Sequence, residues 1–326
     1  MSIGDGEPSV AVTRDGVTES LHRAHVALVS GSRAVSIMGS SETVTYPRSS
    51  LKPFQALATA ELLAKAGLRM TTEQTALACA SHTGSDTHQI EAASMLAEAD
   101  VDESALRCPP AWPADDRVRQ TLAAKTSLSH NCSGKHASMI WGSVAAGLDP
   151  DQYLAAHGEF QQHVARRVAD VLGEALQGPG VDGCGAPAWR CSLAALARGF
   201  ATLSAGADRE TAEVRDAMTT RPELVGGGDL PDTAMMVADE RVVAKRGADG
   251  VMACGFRVSG ASSIGVAVKI EDGSDRAAGP LAAAVLHALG AVVPTDVLRV
   301  PVLGGGVPHG QIAAVSDVAE RVHAAA

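Results

Sequence analysis

Strand patterns stand at both ends of this chain and helical periodicity fills the space between them, an order that few folds accommodate. Near the start, Val10 to Thr13, His25 to Val29 and Ala34 to Met38 read as short strands, each flanked by Gly, Ser or Asp. From Pro53 to about Gly206 the period becomes helical in PFQALATAELLAKAGL, TTEQTALACAS, THQIEAASMLAEA, GKHASMIWGSVAAG and CSLAALARGFATL. After the turn-rich GGGDLPD at 226–232, strands return in RVVAKRG, VMACGFRV and SIGVAVKI, with helices expected at about 277–289 and 311–324. Pairing the two sets of strands predicts an α/β fold of the α+β type. Its sheet is mainly antiparallel and carries flanking helices. Residues 1–50 and 207–326 form this lobe, and 51–206 form a mainly helical one within a single 326-residue domain.

Composition narrows the partners. The chain is 46% hydrophobic and only 3% aromatic, so its core is expected to be built mostly from Ala, Val and Leu. Its 27 basic and 37 acidic residues give a net charge of −10, and no Lys/Arg cluster with interleaved aromatics tracks a phosphate backbone. Nucleic acid is excluded as an expected partner. The start, MSIGDGEPSVAV, has neither a basic n-region nor an apolar h-region, and no run reaches bilayer length. A cytoplasmic protein with no membrane partner is the expectation. Six scattered cysteines predict reduced thiols rather than a disulfide framework.

The stretch YPRSSLKPFQ brings two serines close to a lysine. A hydroxyl is a poor nucleophile until a base takes its proton, and residues three apart on a helix share a face. Ser49 can therefore approach Lys52, whereas Ser50 is poorly placed. Pro53 suits only a first helical turn, so a helix cap with a solvated lysine is the plain alternative. Ser81, in CASHTGSD, stands at a helix-to-loop junction as nucleophile, proton relay or cap. In SIGVAVKIEDG the cation Lys269 ends an apolar strand, where desolvation lowers an ammonium pKa. Lys245, in AKRGADG, is its rival, but Arg246 and Gly247 suggest a turn that points it outward.

The segment SHNCSGKH places Cys132 and Lys135 just ahead of the apolar helix ASMIWGSV, and a helix N-terminus lowers a thiol pKa. With Asp182 and Cys184 in VDGCGAP, Cys132 has the makings of a soft metal site, against the alternative of small buried residues. His82 and His88 are further candidate ligands, with surface loop histidines as the plainer reading. The Gly-rich LGGGVPHGQ has no following Lys-Ser or Lys-Thr and reads as a tight turn rather than a phosphate loop.

Taken together, YPRSSLKPFQALA, ASHTGSDTHQ, SHNCSGKHASM, DGCGAPAW, AKRGADGVMACG, GVAVKIEDG and GGGVPHGQI resemble the bacterial L-asparaginase II family of the Rhizobium etli type, from about Ser30 to Gln311. That family is similar in fold to serine β-lactamases and penicillin-binding proteins, and the run from Ser49 to Phe54 resembles the S-x-x-K-P-F element of the latter. The resemblance implies hydrolysis of L-asparagine to L-aspartate and ammonia by two serine and lysine pairs, Ser49 with Lys52 and Ser81 with Lys269. Arg48, Asn131, His136 and Asp182 would contact the substrate. Cys132, Lys135 and Cys184 would surround a metal, zinc, and the protein would be a homodimer. The T-G-G-T signature of threonine-dependent asparaginases is absent from the sequence. A penicillin-recognising acylase on the same scaffold and a catalytically silent amino-acid or metal sensor are the competing readings.

Overall fold

The computed structural model describes residues 4–259 and 262–325. The chain divides into two compact units. The first comprises Met1–Ser50, Arg190–Ala207 and Ala234–Ala326, and the second Leu51–Trp189 and Asp208–Thr233.

The first unit is built on an antiparallel sheet. Its strands lie in the order Arg299–Gly304, Val307–Ala314, Glu7–Arg14, Val17–Ser30, Ser262–Ile270, Val251–Ser259 and Val242–Arg246, and Arg33–Met38 adds to Val17–Ser30. N- and C-terminal strands meet at the centre, where Val26 faces Val268 and Leu28 faces Val266. Every residue from Ser263 to Ile270 is buried, which requires cover on both faces. The helix Leu193–Ala205 lies on this sheet, and two glycines explain how closely. A Cβ at Gly265 would stand 1.8 Å from the Ala197 carbonyl oxygen, and one at Gly255 would stand 2.3 Å from that of Phe200. The second helix on the sheet is Asp275–Ala288, near the span expected from the sequence.

The second unit is mainly helical: Lys52–Lys65, Thr72–Ala78, Asp86–Glu98, Ser133–Ala145, Glu159–Leu172 and Arg209–Thr220. Ser133–Ala145 is its core helix, buried from Ser133 to Ser143. Small residues let neighbours reach its backbone, since a Cβ at Gly134 would collide with Leu77 and one at Gly142 with Thr59.

Several elements differ from expectation. The segment expected as a helix at 311–324 begins as the strand Val307–Ala314, and helix covers only Val318–Ala325. Gly305 and Gly306, at φ 58° and 85°, turn the chain into a hairpin, and Ala313 and Ile312 pair with Ala11 and Val12. The helices Glu159–Leu172 and Arg209–Thr220 and the strands Gln177–Val181 and Pro187–Ser192 were not read from the sequence. Leu193–Ala205 falls in the sheet unit and residues 208–233 in the helical one. No helix among the described residues is long and apolar enough to cross a membrane. All six cysteines are buried.

Candidate active site

In the helical unit, Lys52 opens the helix Lys52–Lys65, with Pro53 in the first turn, where a missing N–H costs nothing. Its side chain runs inward to 2% exposure. Three acceptors surround Nζ: the carbonyl of Ala80, Ser81 Oγ at 3.1 Å and Cys132 Sγ at 3.1 Å. Ser81 follows the helix Thr72–Ala78, which a Thr71–Gln74 capping box starts. The chain is pinned as it leaves that helix: Ser81 N–H donates to the Val225 carbonyl at 2.9 Å, His82 N–H to that of Asn131 at 3.2 Å and Thr83 N–H to that of Gly226 at 3.0 Å. Ser81 Oγ is thereby held beside the amine.

Cys132 is the N-cap of Ser133–Ala145, and its N–H donates to His130 Nδ1 at 3.0 Å. Lys135 lies three residues on, 3% exposed, and its Nζ donates to Cys184 Sγ at 3.1 Å. Cys184 rides on a tight turn in which Asp182 N–H donates to the Ala186 carbonyl and Gly185 N–H to that of Asp182. A hydrogen bond with Cys184 holds the Cys132 thiol well below its ordinary pKa, against the effect of burial and with help from the Lys52 and Lys135 charges. Burial alone would lower the Lys135 pKa. The charges of Cys184 and Cys132 reverse that and raise it. Cys108 shows the contrast: burial, then the neighbouring thiolate of Cys132, push it up to about 12.

This donor set suits zinc. Two thiols and an amine converge in one buried cluster, and soft sulfur ligands favour that ion. Among the described residues, no group of three His, Cys, Asp or Glu side chains is arranged to hold a metal, so a three-donor site here would have to include the amine of Lys135. A ligating amine must be neutral, and a cation binding beside Cys132 and Cys184 has to displace the Lys135 proton.

The histidines depart from the surface reading. His82 and His88 are 2% and 3% exposed and stack at 4.7 Å between ring centroids. Burial is tolerated because the ring nitrogens have partners. His82 takes the Gly84 N–H on Nδ1 and faces Ser133 Oγ through Nε2 at 3.1 Å, while His88 takes the Ser85 N–H and reaches the Glu223 carbonyl. Burial lowers the His88 pKa. His136 is fully buried, with Nδ1 2.6 Å from the Tyr153 hydroxyl, which accepts the Arg107 N–H at 2.9 Å. Burial, then the Lys135 charge, push His136 down to about 4 and leave a neutral imidazole at neutral pH. Asn131 is exposed and Asp182 half-buried.

The sheet unit holds the other candidates. Ser49 is half-buried in a 3-10 turn, Arg48–Leu51, that follows from Arg48 at φ 53°. Ser50 is fully buried and its Oγ donates to the Lys245 carbonyl at 3.1 Å, a structural commitment. Lys245 does not point outward as its flanking turn suggested. It is 0% exposed in the strand Val242–Arg246, and its Nζ is satisfied at 2.9 Å by the Arg246 carbonyl. Lys269 is 5% exposed and donates to the carbonyl of Asp249, and burial lowers its pKa against the pull of Asp249. Arg48 Nη1 lies 2.5 Å from Asp249 Oδ2. Asp249 and Tyr153 were missed in the sequence. GADG carries only a turn signal, and nothing near Tyr153 announces His136 as its partner.

The hydrogen bonds therefore gather Lys52, Ser81 and Cys132, then Lys135 and Cys184, and separately join Arg48 and Lys269 through Asp249. No curated protein matches the chain. A solved structure of a provisionally assigned beta-lactamase from Bacteroides dorei is similar to it at 10% identity and a TM-score of 0.42, covering 76% of this chain and 86% of that one. The family model described as L-asparaginase II matches residues 10–314, a span that holds every serine, lysine and cysteine placed above. By that match, this chain belongs to the L-asparaginase II family.

Proposed function

We propose that the chain is an L-asparaginase that works through a serine nucleophile and a lysine base. The observation that carries this reading is the buried amine of Lys52, hydrogen-bonded to Ser81 Oγ and Cys132 Sγ within a member of this family. Ser49 attacks the side-chain amide carbon of L-asparagine while Lys52 takes its proton. The C–N bond breaks, ammonia leaves with a proton relayed through Ser81 and Lys269, and an aspartyl ester remains on Ser49. Water then cleaves that ester, returning the Ser49 hydroxyl and releasing L-aspartate. Lys52 donating to Ser81 supports the relay, because base and relay already share a hydrogen bond.

Arg48 binds the substrate's α-carboxylate and Asp182 its α-ammonium, with Asn131 and His136 lining the pocket. Zinc, when bound, is held by Cys132, Lys135 and Cys184 and supplies positive charge beside the substrate. A cytoplasmic homodimer completes the reading, and gel filtration tests the dimer. The decisive experiment is ammonia release from L-asparagine and L-glutamine, with and without chelator. The protein is expected to turn over L-asparagine and to ignore a chromogenic β-lactam. Ser49→Ala should lower kcat by about a thousandfold or more. Full turnover by Ser49→Ala would remove Ser49 as nucleophile, and no ammonia from either amide would remove the whole reading.

A further inference from the structure

The Arg48 guanidinium already holds a carboxylate, that of Asp249. We propose that Asp249 is a built-in competitor for the substrate's carboxylate, occupying Arg48 until an incoming α-carboxylate displaces it. The inference rests on the reading of Arg48 as the substrate's carboxylate partner.

Three features of the sheet unit carry it. The first is an asymmetry of exposure: the Arg48 side chain is 25% exposed and that of Asp249 67%, so the cation is anchored and the anion faces water. The second is that the main chain around Asp249 is fixed. Gly247 N–H donates to the Val251 carbonyl at 2.8 Å, and a Cβ there would meet the Pro47 carbonyl at 2.5 Å. Gly250 N–H donates to Asp275 Oδ1 at 2.7 Å, and a Cβ on Gly250 would lie 2.7 Å from that of Ile270. The third is a division of labour within one residue. The Asp249 carbonyl accepts from Lys269 while its carboxylate meets Arg48. With the backbone held, the carboxylate can swing away from Arg48 without moving the acceptor of Lys269.

Both partners are also held in the left-handed region, Arg48 at φ 53° and Asp249 at φ 56°, which an arginine seldom adopts. The backbone thus presents the two groups to each other. Displacement exchanges one carboxylate for another on the same guanidinium, so the charge around Arg48 is the same before and after. Apparent affinity for the substrate is then reduced by the fraction of time Asp249 occupies the arginine.

The test compares KM for L-asparagine, and the calorimetric Kd of L-aspartate, in the wild type, Asp249→Asn, Arg48→Gln and the double variant. Asparagine tolerates the left-handed backbone and lacks the charge, and Asp249→Gly is the second variant should Asp249→Asn fail to fold. Asp249→Asn is expected to lower KM and Kd by about threefold, as for a partly exposed ion pair, and to change neither in the Arg48→Gln background. If Arg48→Gln raises KM while Asp249→Asn leaves it unchanged or raises it, the inference is overturned and the role of Arg48 stands. If Arg48→Gln leaves KM unaltered, the substrate reading of Arg48 fails, and the competitor with it.

Discussion

Lys52 Nζ lies 3.1 Å from Ser81 Oγ, and both groups are buried. With Lys52 as the proposed base and Ser81 as the proposed relay, the pair should act as one unit. Lys52→Met and Ser81→Ala are each expected to lower kcat for ammonia release by about 10²–10⁴-fold, and the double variant should be little worse than the poorer single one. Fully multiplicative losses in that cycle would mean that the two residues work independently.

The seat of the helix Leu193–Ala205 admits no side chain at Gly265, because a Cβ would stand 1.8 Å from the Ala197 carbonyl oxygen. Backbone cannot yield as a side-chain tip can. Gly265→Ala should therefore cost about 3 kcal/mol or more and lower the thermal midpoint by several degrees. Calorimetry checks this, and an unchanged midpoint would place the helix elsewhere.

Burial lowers the His88 pKa, so between its native value and its ordinary 6.5 the unfolded chain binds the extra proton. Stability is thus complete above pH 6.5 and declines as the pH falls below it, by at most about 1.4 kcal/mol per pH unit for this group. Thermal midpoints at pH 7.5 and 5.5 are expected to drop less in His88→Asn than in the wild type. Equal drops would assign the acid sensitivity to other groups.

Cys132, Lys135 and Cys184 lie in one buried cluster, and the proposed zinc site needs all three. After zinc loading and desalting, elemental analysis should find zinc on the wild type and little on Cys132→Ala or Cys184→Ala. Lys135→Met, which leaves two thiols, should weaken binding by about tenfold or more. Undiminished zinc on Lys135→Met would exclude the amine as a ligand.

Short-range patterns made much of the fold readable. Short apolar runs in SIGVAVKI and VMACGFRV placed central strands, and the 3.6-residue period of PFQALATAELLAK placed the helix that Lys52 opens. The C-terminal hairpin was misread because GQIAA carries a helix-compatible composition, and its true partner, Glu7–Arg14, lies some three hundred residues away. Lys245 was misjudged for a similar reason. Its neighbours signal a turn, but the strand carries its side chain inward, where the Arg246 carbonyl meets the ammonium. For His82 and His88, composition offered a loop, and only the tertiary partners Ser133 and Glu223 make their burial tolerable. The candidate site was legible as residue types, because hydroxyls, amines and thiols beside turns are conspicuous. Its wiring was not: Lys52 bonding Ser81 and Cys132, and Asp249 linking Arg48 to Lys269, are long-range facts.

The unit boundary falls between Ser50 and Leu51, so Ser49 and Lys52, three positions apart in the chain, belong to different compact units. On the proposed assignment both Ser49 and Lys52 are needed for turnover, so activity should gauge whichever unit melts first. Loss of turnover on heating, in denaturant or during limited proteolysis should follow the weaker body even while the sturdier one keeps its ellipticity. A stabilising substitution will lengthen the working life of the enzyme only when it is made in the weaker half.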